Sequence, residues 1–410
     1  MIFLFQKNSF LLRFSLFLIL VSALQSCTCD PAEKYPAATR LPQLMIHTNT
    51  QIGREEKTAC KVLYIENGDT IAVAGKIKYR GASSGKYPKH SFSLELKNKQ
   101  ILGQLPADKD WILNASYIDK TFMRHKLCYE LFREMNPKHI VAQCTYVWIH
   151  ENNAPQGLYL LMEEIDKSRI GLNKKDTQAM LFKEPPLFYK DTVPAIQDPS
   201  NFFQQKFPKK TKSDKTAYIT DFQKFLFQSG DADFARAINS WVDLENIIDW
   251  QILLLLSNNQ DGLLKNFYLY KLNSKTPFRI IPWDYDHSFG RDGDNTLNLQ
   301  KRQIRCEDNI LLDRLMNNPL LNYKARLSAR WNALRKAKVI SLENIQKHLE
   351  ANDRLIRNFI ADNNKLWPVT DLQFYKDKNN YDQELNLIYR YTKLRIAFLD
   401  NYFGKLSATH

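Results

Sequence analysis

Apolar and polar positions alternate with a period of two in the first part of the chain and recur at helical spacing in the last. Between Leu44 and Lys97 the short-period pattern predicts strands. Lys61 to Ile65 and Ile71 to Tyr79 are β-rich runs joined by Asn67-Gly68-Asp69, a hairpin signal. Ser91 to Lys97 alternates as a half-buried strand should, and Arg80 to Gly85 is the small-residue turn before it. Asp119 is placed to cap a helix running to Met135, with Pro137 beyond its end. Thr145 to His150 and Leu158 to Glu163 predict two more strands joined by a polar turn.

Beyond residue 165 the pattern changes. Residues 185–215 hold several prolines and a basic stretch from Lys206 to Lys215, which predict a long surface loop or insertion. Ser240 then stands where it can cap a helix whose apolar face includes Trp241, Leu244, Ile247, Ile248, Ile252, Leu255 and Leu256. A face this wide predicts deep burial. Asn258 to Gly262 are turn residues; Asn266 to Lys271 and Phe278 to Trp283 predict a hairpin turning near Ser274. The remainder predicts helices at Ile310 to Lys336, Leu342 to Asn364 and Tyr381 to Phe403. Strands first and helices last predict an α+β molecule of two lobes, 44–165 and 166–410.

The chemistry gathers on the second hairpin. Folding it about its turn brings Asn266 opposite Trp283 and Asp284, with Asp261 just before the first strand and Asp286 just after the second. Phosphoryl transfer needs hard oxygen ligands for Mg²⁺ and a carboxylate that orients the acceptor hydroxyl. Protein kinases meet this need with an aspartate, an asparagine five residues later, a hairpin and a metal-binding aspartate. Asp261, Asn266 and Asp284 follow that order, although Asn259-Gln260 stands in place of the usual His-Arg and Trp283 to Gly290 in place of Asp-Phe-Gly. Turn aspartates and asparagines also cap loops with no chemical role, so spacing alone leaves both readings open.

Composition narrows the setting. The chain has 410 residues, long enough for two or three domain-sized units or one elaborated two-lobed domain. Lys7 and Arg13 flank an apolar run from Phe14 to Ala23, followed by Leu24-Gln25-Ser26-Cys27. This reads as a leader of residues 1–26 rather than a membrane span. Its ending resembles a bacterial lipobox, which implies cleavage before Cys27, a lipid on that sulfur and a tether over 27–43. An ordinary secretory leader with a chance cysteine is the alternative. The expected location is the cell envelope, anchored to a membrane and facing the periplasm or the cell surface.

The formal charge is +14, and the leader holds only two of the cations. A basic surface suits anionic headgroups, acidic glycans or phosphorylated ligands, or serves solubility alone. No arginine-rich arm or finger motif points to nucleic acid. Cysteine spacing fits neither a zinc site nor a redox pair; Cys128 and Cys144 read as core residues, and one disulfide is open in an oxidising compartment.

Taken jointly, several segments resemble the CotH kinase family. They are Arg80 to Ser84 with Pro88-Lys89, Lys109-Asp110-Trp111, Asp119 to Arg124, Gly157 to Glu163, Asp261 to Tyr270, and Trp283 to Gly290. The resemblance spans roughly residues 60–300 and implies an atypical kinase that uses ATP and Mg²⁺ to phosphorylate serine or threonine on a protein substrate. It makes Asp261 the catalytic aspartate and Asn266 and Asp284 metal ligands, with Asp286 beside them. Gly81, Ser83 and Ser84 would cover phosphates, and Arg80 and Lys89 would supply positive charge. Glu163 would lie on the strand nearest the adenine, a surface glutamate being the alternative. Arg124 faces either a phosphate or the Asp110 and Asp119 neighbourhood. A kinase-like scaffold that only binds a glycan or protein, and a nucleotidyl transferase on the same fold, are the other functional readings.

Overall fold

The computed structural model describes residues 40–81, 83–196, 198–292, 294–299, 302–369 and 374–408. The leader and Cys27 lie outside them. Seven strands form a closed barrel: β1 (Gln43–Thr48), β2 (Thr58–Glu66), β3 (Asp69–Arg80), β4 (Ser91–Gln100), β5 (Asp108–Asn114), β6 (Cys144–Glu151) and β7 (Ala154–Glu163), in the order β1-β2-β3-β4-β5-β7-β6. All pairings are antiparallel except the closing one, where β1 runs parallel to β6 with Gln43 opposite Trp148. Asn67 and Gly68, both at positive φ, make the predicted β2–β3 turn.

Side-chain alternation divides the barrel's surroundings. Leu44, Ile46, Val62, Ile77, Phe92, Leu94, Trp111 and Leu161 fill its interior. Leu158, Leu160 and Met162 of β7 and Ile112 of β5 face outward into a larger core shared with the helices. β7 is therefore buried on both faces, unlike β3, whose outer face is open.

Helix α1 (Arg124–Met135) packs against that outer face. It starts four residues later than the sequence predicts. Asp119 accepts instead from the Thr121 and Arg124 N–H groups, and Phe122 adopts a φ of 61°, which no helix can include. The aspartate thus caps a turn leading into the helix. A one-turn helix α2 (Lys167–Ile170) follows the barrel.

The second sheet has the order β11-β10-β8-β9, from β8 (Met180–Lys183), β9 (Gln205–Phe207), β10 (Phe267–Lys271) and β11 (Arg279–Pro282). Part of the predicted loop at 185–215 is therefore strand. Helices α3 (Thr216–Gln228) and α4 (Asp231–Trp241) lead to α5 (Leu244–Ser257), in which every residue but Glu245 is buried. The cap of α5 is Asp243, accepting from Glu245 and Asn246 N–H groups, not Ser240. Ser240 lies in α4 and donates to the Ala237 carbonyl.

The C-terminal helices are α6 (Ile310–Asn317), α7 (Tyr323–Lys336), α8 (Leu342–Leu366) and α9 (Tyr381–Ala408). The single helix predicted over 310–336 breaks between α6 and α7. Pro319 lacks the N–H that continuation needs, and Asn322 takes a left-handed φ of 47°. Strand-rich first and helix-rich last, the chain is α+β as expected. No described helix is long and apolar enough to cross a membrane. Cys60, Cys128, Cys144 and Cys306 are free thiols, and Cys128 is fully buried in the core.

The α1–α8 contact carries a pH-dependent ion cluster. His348 lies 3.1 Å from Glu130 and 3.0 Å from Glu134. Burial opposes charge on the ring, but both carboxylates outweigh it and raise its pKa from 6.5 to about 9. A folded-state pKa above the unfolded one contributes stability that is complete below pH 6.5 and disappears as pH rises through about 9. We expect stability to fall by roughly 2–3 kcal/mol from this cluster across that window. Denaturant melts of the wild type and His348→Gln check it, since the variant should lose that slope.

Candidate functional site

A cleft of about 1370 Å³ runs between the barrel and the second sheet. Its floor is the end of the β10–β11 hairpin. The register pairs Phe267 with Pro282, and the Trp283 N–H donates to the Asn266 carbonyl at 2.9 Å. Asn266 therefore sits opposite Trp283 and beside Asp284, as the spacing predicts. Asp261 lies in a short 3-10 turn, Asp261–Leu263, which follows α5. Gly262 packs so tightly there that a Cβ would come within 2.7 Å of the Leu254 side chain. Asp261, Asn266, Asp284 and Asp286 all line the cleft.

The two residues that face each other at the hairpin end share an unusual backbone. Asn266 and Asp284 both have a φ of 57°, in the left-handed region. Asparagine and aspartate tolerate it better than other non-glycine residues. The Asp284 carbonyl accepts from Asn266 Nδ2 at 2.9 Å and from Asn259 Nδ2 at 3.3 Å. Asn259, one of the two residues standing where a kinase has His-Arg, thus ties the Asp261 loop to the Asp284 loop. With its Nδ2 engaged, Asn266 keeps Oδ1 for another ligand.

Helix α1 grips the same loop from the other side. The Asp284 N–H donates to the Tyr129 hydroxyl at 3.1 Å and the Tyr285 N–H to His125 Nδ1 at 2.9 Å. Arg124 Nε donates to the Ser288 carbonyl at 2.9 Å. Arg124 also meets Asp119 at 2.5 Å and Glu384 at 3.0 Å, both buried, so it faces the Asp119 neighbourhood rather than a phosphate. The segment from Asp119 to Arg124 works by holding residues 284–288.

Oxygen donors dominate the centre. His125 Nε2, Asp284 and Asp286 offer ligand atoms within 4.8 Å of one another. A backbone N–H can only donate, so His125 Nδ1 accepts from Tyr285, while Nε2 lies 3.3 Å from Asn114 Nδ2. Asp284 Oδ1 is 3.7 Å from the same Nε2, beyond hydrogen-bond reach. The Asp284 and Asp286 carboxylates and Asn266 Oδ1 are the hard oxygen donors here that could hold a cation. Burial and the nearby Asp286 charge push the Asp284 carboxyl above its usual range, although 48% of its side chain opens to the cleft. Crowded carboxylates of this kind suit a bound divalent cation. His287 lies in the same cleft. Burial disfavours its charged form, but Asp286, the Asp292 carbonyl, Asp261 and Asp284 together raise its pKa.

The roof comes from the barrel. Arg80 lines the cleft with its guanidinium 5.8 Å from the Trp283 ring, and its Nη1 is buried with no hydrogen-bond partner. Gly81 has a φ of 106°, and a Cβ would fall 2.1 Å from Ser84 Oγ, so glycine is required. Ser83 begins the 3-10 turn Ser83–Lys86, and Ser84 also lines the cleft. Lys89 is not a solvated lysine. It is 1% exposed, bonded to the Leu158 carbonyl and, at 3.0 Å, to Asn363 Oδ1 of α8. The rings of Phe122 and Tyr159 lie 5.0 and 4.4 Å from its ammonium. No carboxylate pairs with it among the described residues, and burial holds its pKa well below the ordinary value.

Asn363 also accepts from the Leu158 N–H at 3.2 Å. Asn363→Ala leaves both donors without their oxygen and should cost about 1–3 kcal/mol, read from the urea midpoint. Glu163 departs from both expectations. It is 2% exposed, absent from the cleft wall, and engaged by Arg169 at 2.7 Å and the Gln143 N–H at 2.9 Å. The adjacent Glu164 faces the cleft instead.

The sequence matches the CotH kinase protein family over residues 77–399. The chain belongs to the CotH kinase family. The match runs about a hundred residues beyond the segments whose motifs carry the resemblance, into α9, where Glu384 meets Arg124. The chain is also 24% identical over 350 residues to the inner spore coat protein H of Bacillus subtilis (strain 168), covering 80% of this chain and 87% of that protein. Among solved structures it is similar to the Helicobacter pylori proinflammatory kinase CtkA, with 9% identity, 89% of this chain and 96% of that chain covered, and a TM-score of 0.35. A likeness this distant carries no residue-level assignment. Membership makes the protein kinase-like.

Proposed function

We propose that this CotH-family protein is a two-lobed, Mg²⁺-dependent kinase that transfers the terminal phosphate of ATP to a serine or threonine on a protein. One observation carries the reading. Asp261, Asn266, Asp284 and Asp286 converge on the floor of a single cleft, roofed by Arg80 and the Gly81 turn. Asp261 orients the acceptor hydroxyl and takes up its proton as the oxygen attacks phosphorus. Lys265 Nζ lies 3.1 Å from the Asp261 carboxylate. Asn266, Asp284 and Asp286 would hold Mg²⁺, which offsets charge on the transferred phosphoryl oxygens. Arg80 Nη1, buried without a partner, supplies a donor for a phosphate oxygen, and backbone N–H groups of the 81–86 turn supply more. Lys89, buried and bonded to the Leu158 carbonyl and Asn363, braces the wall behind that turn.

The leader read at residues 1–26 would deliver the protein to the envelope as a lipoprotein held by Cys27. Palmitate labelling that is lost in Cys27→Ser tests the anchor. For the reaction, purified protein is incubated with doubly labelled ATP, an acceptor protein and Mg²⁺. Terminal phosphate on the acceptor, abolished by EDTA, is expected. AMP on the acceptor would select nucleotidyl transfer, and no Mg²⁺-dependent nucleotide binding would leave a binding scaffold.

A further inference from the structure

The segment after β8 bears on what the cleft receives. Gln205 of β9 is 6% exposed and uses its whole amide within the segment. Its Nε2 donates to the Pro208 and Ser213 carbonyls at 2.6 and 2.7 Å, and its Oε1 accepts from the Lys215 N–H at 2.8 Å. Phe207 is buried beside it, and Leu181 of β8 pairs with Phe207. A buried amide stapling its own loop fixes the path of residues 205–215.

That fixed path presents lysines. Lys206, Lys209 and Lys212 line the cleft and are exposed, as is Lys174 from the preceding loop. None of these four ammonium groups lies within ion-pair or hydrogen-bond distance of a partner among the described residues, whereas Lys210 pairs with Asp214 and Lys215 bonds the Thr177 carbonyl. Burial, with the like charges of Lys183 and Arg80, lowers the Lys206 pKa against the opposing pull of Glu164 and Glu184. Unpaired lysines on a braced wall create a positive field that a diffusing anion meets before it reaches the acidic floor.

We infer that this wall binds acidic residues flanking the acceptor hydroxyl, so that the preferred substrate is an acidic stretch of polypeptide. The inference rests on the kinase reading above. The concave setting favours an extended chain over a lipid surface, which cannot enter a cleft. These four lysines line the cleft in addition to Arg80 at the roof, which is already placed to meet a phosphate. An acceptor with glutamate or aspartate on both sides of its serine satisfies the wall and keeps the serine free for Asp261.

The full-length protein is titrated, without turnover, against two fluorescent serine peptides, one with flanking glutamates and one with flanking lysines. The acidic peptide is expected to bind at least tenfold more tightly at low salt, with the preference falling as ionic strength rises. Lys206→Glu/Lys209→Glu/Lys212→Glu should abolish the preference, and the triple glutamine variant should reduce it, with thermal melts confirming that both fold. Equal affinity for the two peptides, or preference for the basic one, overturns the inference. So does a preference that survives charge reversal, or a parallel loss of MgATP affinity, which would assign the wall to the nucleotide. A wild type that binds the acidic peptide selectively but transfers no phosphate overturns the kinase reading and leaves the docking wall standing.

Discussion

Asp261→Asn and Asp284→Asn should both reduce phosphate transfer, by roughly 10²–10⁴-fold, while failing at different steps. Asp261 has its carboxylate near Lys265 and takes no part in the cluster that could hold a cation. Its amide variant should bind MgATP nearly as well as wild type and lose turnover. Asp284 belongs to that cluster, so Asp284→Asn should weaken the Mg²⁺ dependence of nucleotide binding as well. Stability moves the other way. Burial and Asp286 already oppose the Asp284 charge, so neutralising it relieves repulsion and should leave the folded state equal or more stable. Mg²⁺ titrations of nucleotide binding, single-turnover transfer and thermal melts on the same samples separate these effects. Unaltered Mg²⁺ dependence in Asp284→Asn would remove it from the metal site.

The largest structural effect is expected from Arg124. It is 1% exposed and bonds Asp119, Glu384 and the Ser288 carbonyl at once. Glu384 is shared with Arg291, which in turn meets Asp377 at 2.6 Å. Removing one member of such a buried network strands the rest, at a cost of about 3–5 kcal/mol. Arg124→Met should therefore lower the urea midpoint more than any single surface change. Arg124→Lys keeps the charge but lacks the planar fork with which arginine serves three acceptors at once, so it should recover only part of the loss. Because Arg124 holds Ser288, both variants should also loosen residues 284–288, seen as faster amide exchange there and weaker Mg²⁺ affinity.

The hairpin that carries the site was readable from sequence because its register is local. A short turn near Ser274 and two β-rich runs are enough to bring Asn266 level with Trp283. The deep burial of α5 was readable for the same reason, from an apolar face too wide for a surface helix. The grip of α1 on residues 284–288 was not, since His125 and Tyr129 act on backbone groups more than 150 residues away. The position of Asp119 hinted at a helix cap, and the structure spends that carboxylate on a turn and on Arg124 instead. Lys89 read as a source of positive charge over the phosphates because nothing nearby in sequence announces Asn363 as its acceptor. Polarity misled over residues 185–215: prolines and lysines hide the buried Gln205 and Phe207 that give the segment its shape.

The parallel contact between β1 and β6 has a consequence for how the protein behaves in a crowded compartment. Closing the barrel leaves no strand in it with an unpaired row of backbone donors and acceptors. Exposed rows of that kind recruit strands from other molecules. Since β1 spans only Gln43–Thr48, a protease cutting just after it would uncover β2 and β6 together. Clipping there should turn a self-contained barrel into one that associates through its new margins, so β1 also serves as the seal against self-association.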